Sequence, residues 1–105
     1  MIRPEDVINH LVIDVREKSE WEFWNCRHAK LVPLGTLPQW LLENQPPKNE
    51  KIYVFCRSGN RSEMAKKYLL GQGFSDVVNL GGLEQITKIA MLINEKEEYK
   101  GNKLP

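Results

Sequence analysis

Within seven residues the chain gathers the groups that a reactive thiol needs: Cys56, Arg57, Ser58, Gly59, Asn60, Arg61 and Ser62. A cysteine attacks as the thiolate, and its pKa falls from about 8.5 into the range of roughly 3.5–7.5 where cations and unpaired N–H groups surround it. Arg57 and Arg61 supply the cations. Gly59 and Asn60 are the residue types that enter positive φ most readily, so the loop can curl and turn successive N–H groups inward. A buried, inert core thiol is the ordinary role of a free cysteine. Two arginines and a glycine within five residues do not suit an apolar niche. Cys56 is therefore expected to be an anionic nucleophile at neutral pH.

The flanking elements put this loop where ligands bind. Ile52-Tyr-Val-Phe55 is a short β-branched and aromatic run, the pattern of a buried strand. From Glu63 the period becomes helical, with Met64, Ala65, Tyr68 and Leu69 expected on one face. Cys56 thus stands at the C-terminal end of a strand and just before a helix N-terminus. Open α/β sheets bind ligands at that place. The helix adds unpaired N–H groups and roughly half a positive charge.

At 105 residues the chain has the size of one domain, with a core expected over about 4–93 and a polar tail over 94–105. Its 41% hydrophobic and 28% charged residues match soluble globular proteins. A formal charge of +1 gives no basis for nucleic acid or a charged membrane as partner. No apolar run approaches the ~20 residues of a membrane span. Met1-Ile-Arg-Pro-Glu-Asp6 lacks the apolar core of a signal peptide, so the cytoplasm is the default expectation. A mature exported form given a new Met1, and hence a periplasmic protein, would read the same. Cys26, Cys56, His10 and His28 have no zinc-like spacing, and neither a metal nor an organic cofactor is expected. A Cys26–Cys56 disulfide would sit poorly with Cys56 as nucleophile, and Cys26 is read as a bystander thiol. A monomer is expected.

In chain order, Pro4–His10 reads as a short helix with Glu5 and Asp6 at its positive end, and Leu11–Val15 as a buried strand. Asp14 and Arg16 are placed to pair and fix the next loop. Ser19-Glu-Trp-Glu22 has the form of a capping box, opening a helix at Glu20 whose Trp21, Phe23 and Trp24 are expected in the core. Leu31–Leu34 reads as a short edge strand, with Pro33 at its end. Thr36 is a candidate cap for a helix burying Leu37, Trp40 and Leu41, and Gln45-Pro-Pro-Lys-Asn49 breaks the pattern. Beyond the central unit, Gly71-Gln-Gly73 stops a helix. Val77–Leu80 is a short buried strand, and Gly81-Gly82 turns it into a last helix with Leu83, Ile86, Ala90 and Ile93 on one stripe. Strands alternating with helices at these spacings imply an α/β domain with a mainly parallel sheet covered on both faces. Four strands are visible, and a fifth is allowed for near the N-terminus.

The chain resembles the rhodanese family, in particular its small single-domain bacterial sulfurtransferases of the phage-shock type. Val12-Ile-Asp-Val-Arg-Glu17 is similar to the family's first-strand signature, and Trp21 to Leu34 to its next helix and short strand. Phe55–Ser62 looks like its active-site loop and Asn79-Leu-Gly-Gly-Leu83 like its C-terminal double glycine. One stretch departs: Trp24-Asn-Cys-Arg-His-Ala29 stands where family members usually read Gly-His-Ile-x-Gly-Ala. The resemblance implies a rhodanese-like three-layer fold, with a sheet of four to five strands between helices. It also implies sulfane sulfur transfer through a Cys56 persulfide, from a donor such as thiosulfate to a small or protein thiol, or to cyanide in vitro. Arg57, Ser58, Gly59, Asn60 and Arg61 would then bind substrate, Arg61 with paired hydrogen bonds to the donor's oxygens. For Ser62, helix capping is the expected job.

Two other readings use the same residues. A cysteine phosphatase or arsenate reductase also sets Cys and Arg around an anion. The tyrosine phosphatase pattern, however, separates them by five residues after a His, whereas Cys56 and Arg61 are separated by four and follow Phe55. A sulfur carrier or interaction module would form the persulfide but not turn over with small acceptors.

Overall fold

The computed structural model describes the backbone of residues 3–99 and the side chains of residues 3 and 5–92. Three runs rich in β-branched or aromatic residues and one two-residue strand pair in parallel: β1 (Leu11–Asp14), β2 (Lys30–Leu31), β3 (Lys51–Phe55) and β4 (Asp76–Gly81), in the order β2-β1-β3-β4. Five helices connect and cover them: α1 (Pro4–Ile8), α2 (Lys18–Phe23), α3 (Leu37–Asn44), α4 (Asn60–Gly71) and α5 (Leu83–Tyr99).

Side chains alternate across the strands, and the alternation makes two cores. Ile13, Val15, Ile52, Val54, Cys56 and Val77 point to one face, where Leu37 of α3 and Ala65 and Leu69 of α4 meet them. Val12, Tyr53, Phe55 and Leu80 point to the other, against Val7 of α1 and Ile86 and Ala90 of α5. Both faces are therefore covered, in the three layers expected of a parallel sheet. Cys56 lies on the α4 face.

Several expectations are corrected. Among the described residues there is no fifth strand, because the N-terminal stretch is α1. The second strand is Lys30–Leu31 rather than Leu31–Leu34. Pro33 has no N–H to pair, although Val32 and Leu34 still donate to Asp14 and Val15 at 2.9 and 3.1 Å. Thr36 precedes α3 without capping it, since its hydroxyl donates to the Pro33 carbonyl at 2.8 Å. The box that opens α2 is Glu17 with Glu20, two residues before the one expected. α2 buries no residue, and Phe23 is 95% exposed rather than in the core. This six-residue helix stands beside the strand ends instead of lying on the sheet. In α4 the buried stripe is Ser62, Ala65 and Leu69, which leaves Met64 exposed. Cys26 and Cys56 are both free thiols. The expected inward position of Ile93 and the polar character of the tail from Asn94 lie outside the described side chains.

Candidate active site

The loop after β3 is shorter than the sequence suggested. α4 begins at Asn60, three residues before Glu63, so only Cys56, Arg57, Ser58 and Gly59 separate strand from helix. Gly59 makes this turn at φ 98°, a left-handed conformation open to glycine at little cost, and it sits at the N-cap of α4. The turn folds the first N–H groups of the helix back over the thiol. Cys56 Sγ accepts from the Gly59 N–H at 3.0 Å and the Ser62 N–H at 3.4 Å, and the Ser62 hydroxyl oxygen lies 3.5 Å away, its one proton closest to Asn79.

Burial works against a charged sulfur here, because Cys56 has no exposed surface. The hydrogen bonds from Ser62, Gly59 and Ser58 outweigh it, and the thiol titrates below its ordinary value. Each of these contacts strengthens when the sulfur is an anion.

A second shell of hydrogen bonds holds the donors. Asn79 of β4 accepts from the Ser62 hydroxyl at 2.7 Å and from the Gly81 N–H at 2.8 Å. Its amide donates to the Gly59 carbonyl at 3.2 Å and to Glu63 at 3.1 Å. All four bonding positions of this amide side chain are used. An irregularity in the β3–β4 pairing lies beside it: Val54 pairs with Asn79, but Phe55 with Gly81. The extra residue at this point in β4 is the kind of insertion that re-aims side chains beside sites.

The double glycine closes the floor. Cys56 N–H donates to Gly81 at 3.2 Å and Leu83 N–H to Arg57 at 2.9 Å. A β-carbon on Gly82 would stand 2.6 Å from the Arg57 carbonyl oxygen, so only glycine allows this approach. Gly81 has φ 97°, which again favours glycine.

The two arginines differ. Arg61 sets its fork on Glu20 of α2, Nη1 to Oε1 at 2.8 Å and Nη2 to Oε2 at 2.9 Å. The guanidinium holds the Glu20 carboxyl down at about 2, and the carboxylate in turn raises Arg61. The paired hydrogen bonds foreseen for a donor's oxygens are thus made to a residue of the chain itself. Arg57 is exposed and has no side-chain partner among the described residues. Ser58 and Asn60 are exposed too. Ser62 is not a cap. It sits at the third position of α4 with its hydroxyl turned to Sγ and Asn79.

Asp14 and Arg16 form a buried pair at the end of β1, Nη2 to Oδ2 at 2.7 Å, and Arg16 also donates to the Trp24 carbonyl at 2.8 Å. The departing stretch makes a turn, with Ala29 N–H bonded to Cys26 and His28 Nε2 2.9 Å from the Ile8 carbonyl. Beside Arg57 opens a groove of about 530 Å³ lined by Arg16, Glu20, Phe23, Trp24 and Leu83. Among the described residues no cluster of His, Cys, Asp or Glu could hold a metal, and no helix is long and apolar enough to cross a membrane.

Sequence reasoning gathered Ser62 with the loop but expected it to cap the helix, and it gave Asn79 and Glu20 no place in the site. Ser62 was signalled by the spacing 62, 65, 69, which puts it on the inward stripe of α4. Asn79 was signalled by alternation, being a polar residue on the same strand face as Val77. Nothing local pointed Glu20 at Arg61, 41 residues away.

The comparisons with known proteins agree with this architecture. A family model described as Rhodanese-like domain matches residues 2–89. The thiosulfate sulfurtransferase PspE of Escherichia coli (strain K12) is 32% identical over 74 residues, 70% of this chain and 71% of that protein. A protein of Bacillus subtilis (strain 168) named as a candidate sulfur carrier, YrkF, is 38% identical over 69 residues. That match takes in 66% of this chain but only 36% of the relative's length. A solved structure described as rhodanese with anions from E. coli superposes with TM-score 0.66 at 31% identity, covering 71% of this chain and 88% of that one. The chain belongs to the rhodanese-like domain family. Its fold is the family's, a four-stranded parallel sheet between helices.

Proposed function

We propose that this protein is a sulfurtransferase that carries sulfane sulfur as a persulfide on Cys56, with thiosulfate or a similar anion as donor. The observation that carries the reading is the buried Sγ on which two backbone N–H groups and the Ser62 side chain converge, with a lowered pKa. The thiolate attacks the outer sulfur of thiosulfate. A bond from Sγ to that sulfur forms, the bond to the sulfonate sulfur breaks, and sulfite leaves with the electron pair. An acceptor thiolate, or cyanide in vitro, then attacks the outer persulfide sulfur and restores the Cys56 thiolate. The covalent stage divides one hard transfer into two easier ones. N–H groups of the loop stabilise the persulfide anion as an oxyanion hole would.

The substrate-binding roles divide unevenly. Arg57, free at the surface, meets the donor's oxygens, and Ser58, Gly59 and Asn60 shape the loop around the incoming sulfur. Arg61 acts as a fixed charge, since its fork is held by Glu20. With Cys56 fully covered at rest, a donor enters as the Arg57–Ser58 segment yields. Nothing in the chemistry calls for a metal or an organic cofactor. Two free thiols suit the reducing cytoplasm as the compartment.

Intact mass after brief incubation with thiosulfate tests this reading. A gain of one sulfur (~32 Da), absent in Cys56→Ser and reversed by cyanide, is the expected result. No gain overturns it. The name of the Bacillus relative favours one second reading, a carrier that hands sulfur to a dedicated partner. For a carrier, the same mass gain would resist cyanide.

A further inference from the structure

Two helix N-termini converge on the stretch that covers Cys56. The start of α4 turns the Gly59 and Ser62 N–H groups to the sulfur. The first N–H of α5, on Leu83, donates to the Arg57 carbonyl at 2.9 Å, and Ser58 forms an isolated antiparallel bridge with Gly82. Arg57 and Ser58 themselves are exposed, and neither side chain has a partner among the described residues. This two-residue strap is therefore held shut through its backbone, against the Gly81–Gly82 turn and the start of α5.

The turn has no side chains with which to fix its own shape. Gly82 has no room for one, given the 2.6 Å that a β-carbon would leave to the Arg57 carbonyl oxygen. A helix that opens on such a residue lacks the side-chain oxygen of an ordinary N-cap. Gln85, the third residue of α5, compensates from the other direction. Its Oε1 accepts from the Gly82 N–H at 3.1 Å and lies 3.3 Å from the place of a β-carbon on Gly81. This is the half of a capping box that reaches back to the residue before the helix. Glycine loses more freedom than any other residue on being ordered, so a double-glycine turn gains most from such a brace. Held by Gln85, the turn is preorganised to receive Arg57 and Ser58. Gln85 itself is exposed and lies outside both core clusters.

We propose that Gln85 is the latch of the Arg57–Ser58 strap and sets how often Cys56 becomes reachable from solvent. It is a positioning residue that acts on entry through the double glycine and not on the sulfur. Its use rests on the reading of Cys56 as the sulfur acceptor: the latch governs how fast a donor finds the thiolate.

The test is the rate of Cys56 alkylation by iodoacetamide, a small neutral reagent, read by mass as a function of pH. The plateau at high pH reports how often the strap opens, and the midpoint reports the thiol. Gln85→Ala should raise the plateau about fivefold, the size that loss of one helix cap allows, and leave the midpoint in place. Gln85→Met, which keeps the length but removes the acceptor, should do the same. Gln85→Glu keeps an acceptor oxygen and should restore the wild-type plateau. Cys26, buried in the other core, is the internal control for global unfolding. An unchanged plateau in both variants, a plateau that Gln85→Glu does not restore, a shifted midpoint, or labelling of Cys26 as fast as Cys56 overturns the latch. Thiosulfate loading of the same proteins keeps the two readings apart. Loading with an unmoved plateau removes the latch and leaves sulfur transfer standing. A raised plateau with no loading in any of the proteins removes sulfur transfer and supports the latch.

Discussion

Two stretches meet at the mouth of this site and are built on opposite lines. The loop 56–62 is short, buried at its sulfur and cross-braced by Asn79 and the double glycine. The segment Lys18–Phe23 is a six-residue helix that buries nothing and holds Phe23 almost wholly in solvent. One ion pair, Glu20 with Arg61, joins them. In the first stretch the groups next to the sulfur, Gly59 and Ser62, are held by Asn79, as the stabilisation of an anion requires, while Arg57, Ser58 and Asn60 face solvent. In the second, the side chains answer to the sheet very little and are open to whatever enters. The loop holds the proposed chemistry, and the helix forms one side of the groove beside it.

The contrast can be broken at several points, with effects of decreasing size. Cys56→Ser should abolish persulfide formation and cyanide-dependent turnover, with little change in thermal midpoint. Retained transfer would remove the loop from the chemistry. Gly82→Ala forces a β-carbon against the Arg57 carbonyl, so overpacking of about 1–3 kcal/mol is expected in denaturant titrations, together with most of the activity. A wild-type midpoint would show that the close approach is not needed.

Asn79→Ala removes the closest acceptor of the Ser62 hydroxyl and one donor to the Gly59 carbonyl, which keeps the Glu63 N–H at 3.0 Å, and it frees the Ser62 hydroxyl to turn to that carbonyl at 3.1 Å. A stability loss of about 1–3 kcal/mol and a raised thiol pKa are expected, the latter read from the pH dependence of alkylation. The sign is fixed by the donors. With the thiol lowered from its ordinary value, reactivity falls as pH drops through the thiol's own titration, and a looser loop moves that fall to higher pH.

The ion pair should show the smallest effect and the clearest signs. Glu20→Gln leaves the Arg61 charge unbalanced and should lower the thiol pKa further, whereas Arg61→Ala should raise it and increase the thiosulfate KM several-fold. Each should cost about 0.5–1 kcal/mol of stability, as befits a partly exposed pair. Shifts of the same sign would mean that neither charge reaches the sulfur. Glu20 titrates at about 2 in the fold, far below the ~4.3 of a free glutamate. Its contribution is therefore complete above roughly pH 5 and disappears only as pH falls towards 2. Glu20 thus stays ionised between about pH 5 and 8 and causes no activity change there.

What could be read from the residues follows the same division. Strand runs such as Ile52–Phe55 and Val77–Leu80 are legible because burial on both faces demands apolar residues in sequence. The Cys56 loop is legible because its residue types are unusual together. The start of α4 was placed three residues late, since Asn60 and Arg61 look like loop residues until Gly59 turns the chain into helix. Phe23 was assigned to the core because aromatic residues usually are; a helix that stands at the end of a sheet, not upon it, follows no such rule. Glu20 with Arg61 is a long-range pair, and periodicity carries no information about which surface charges meet.

The complete covering of Cys56 has a consequence for the protein's durability. Oxidation of a thiol to sulfenic acid and beyond depends on thiolate character and on exposure together. Here the two are set against each other, a readily ionised sulfur with no surface open to solvent. Peroxide in bulk water meets the exposed Arg57 and Ser58 before it meets the sulfur. If Cys56 loads sulfur as proposed, the same enclosure would keep stray reductants from it, and the sulfur atom could wait in the fold between giver and taker.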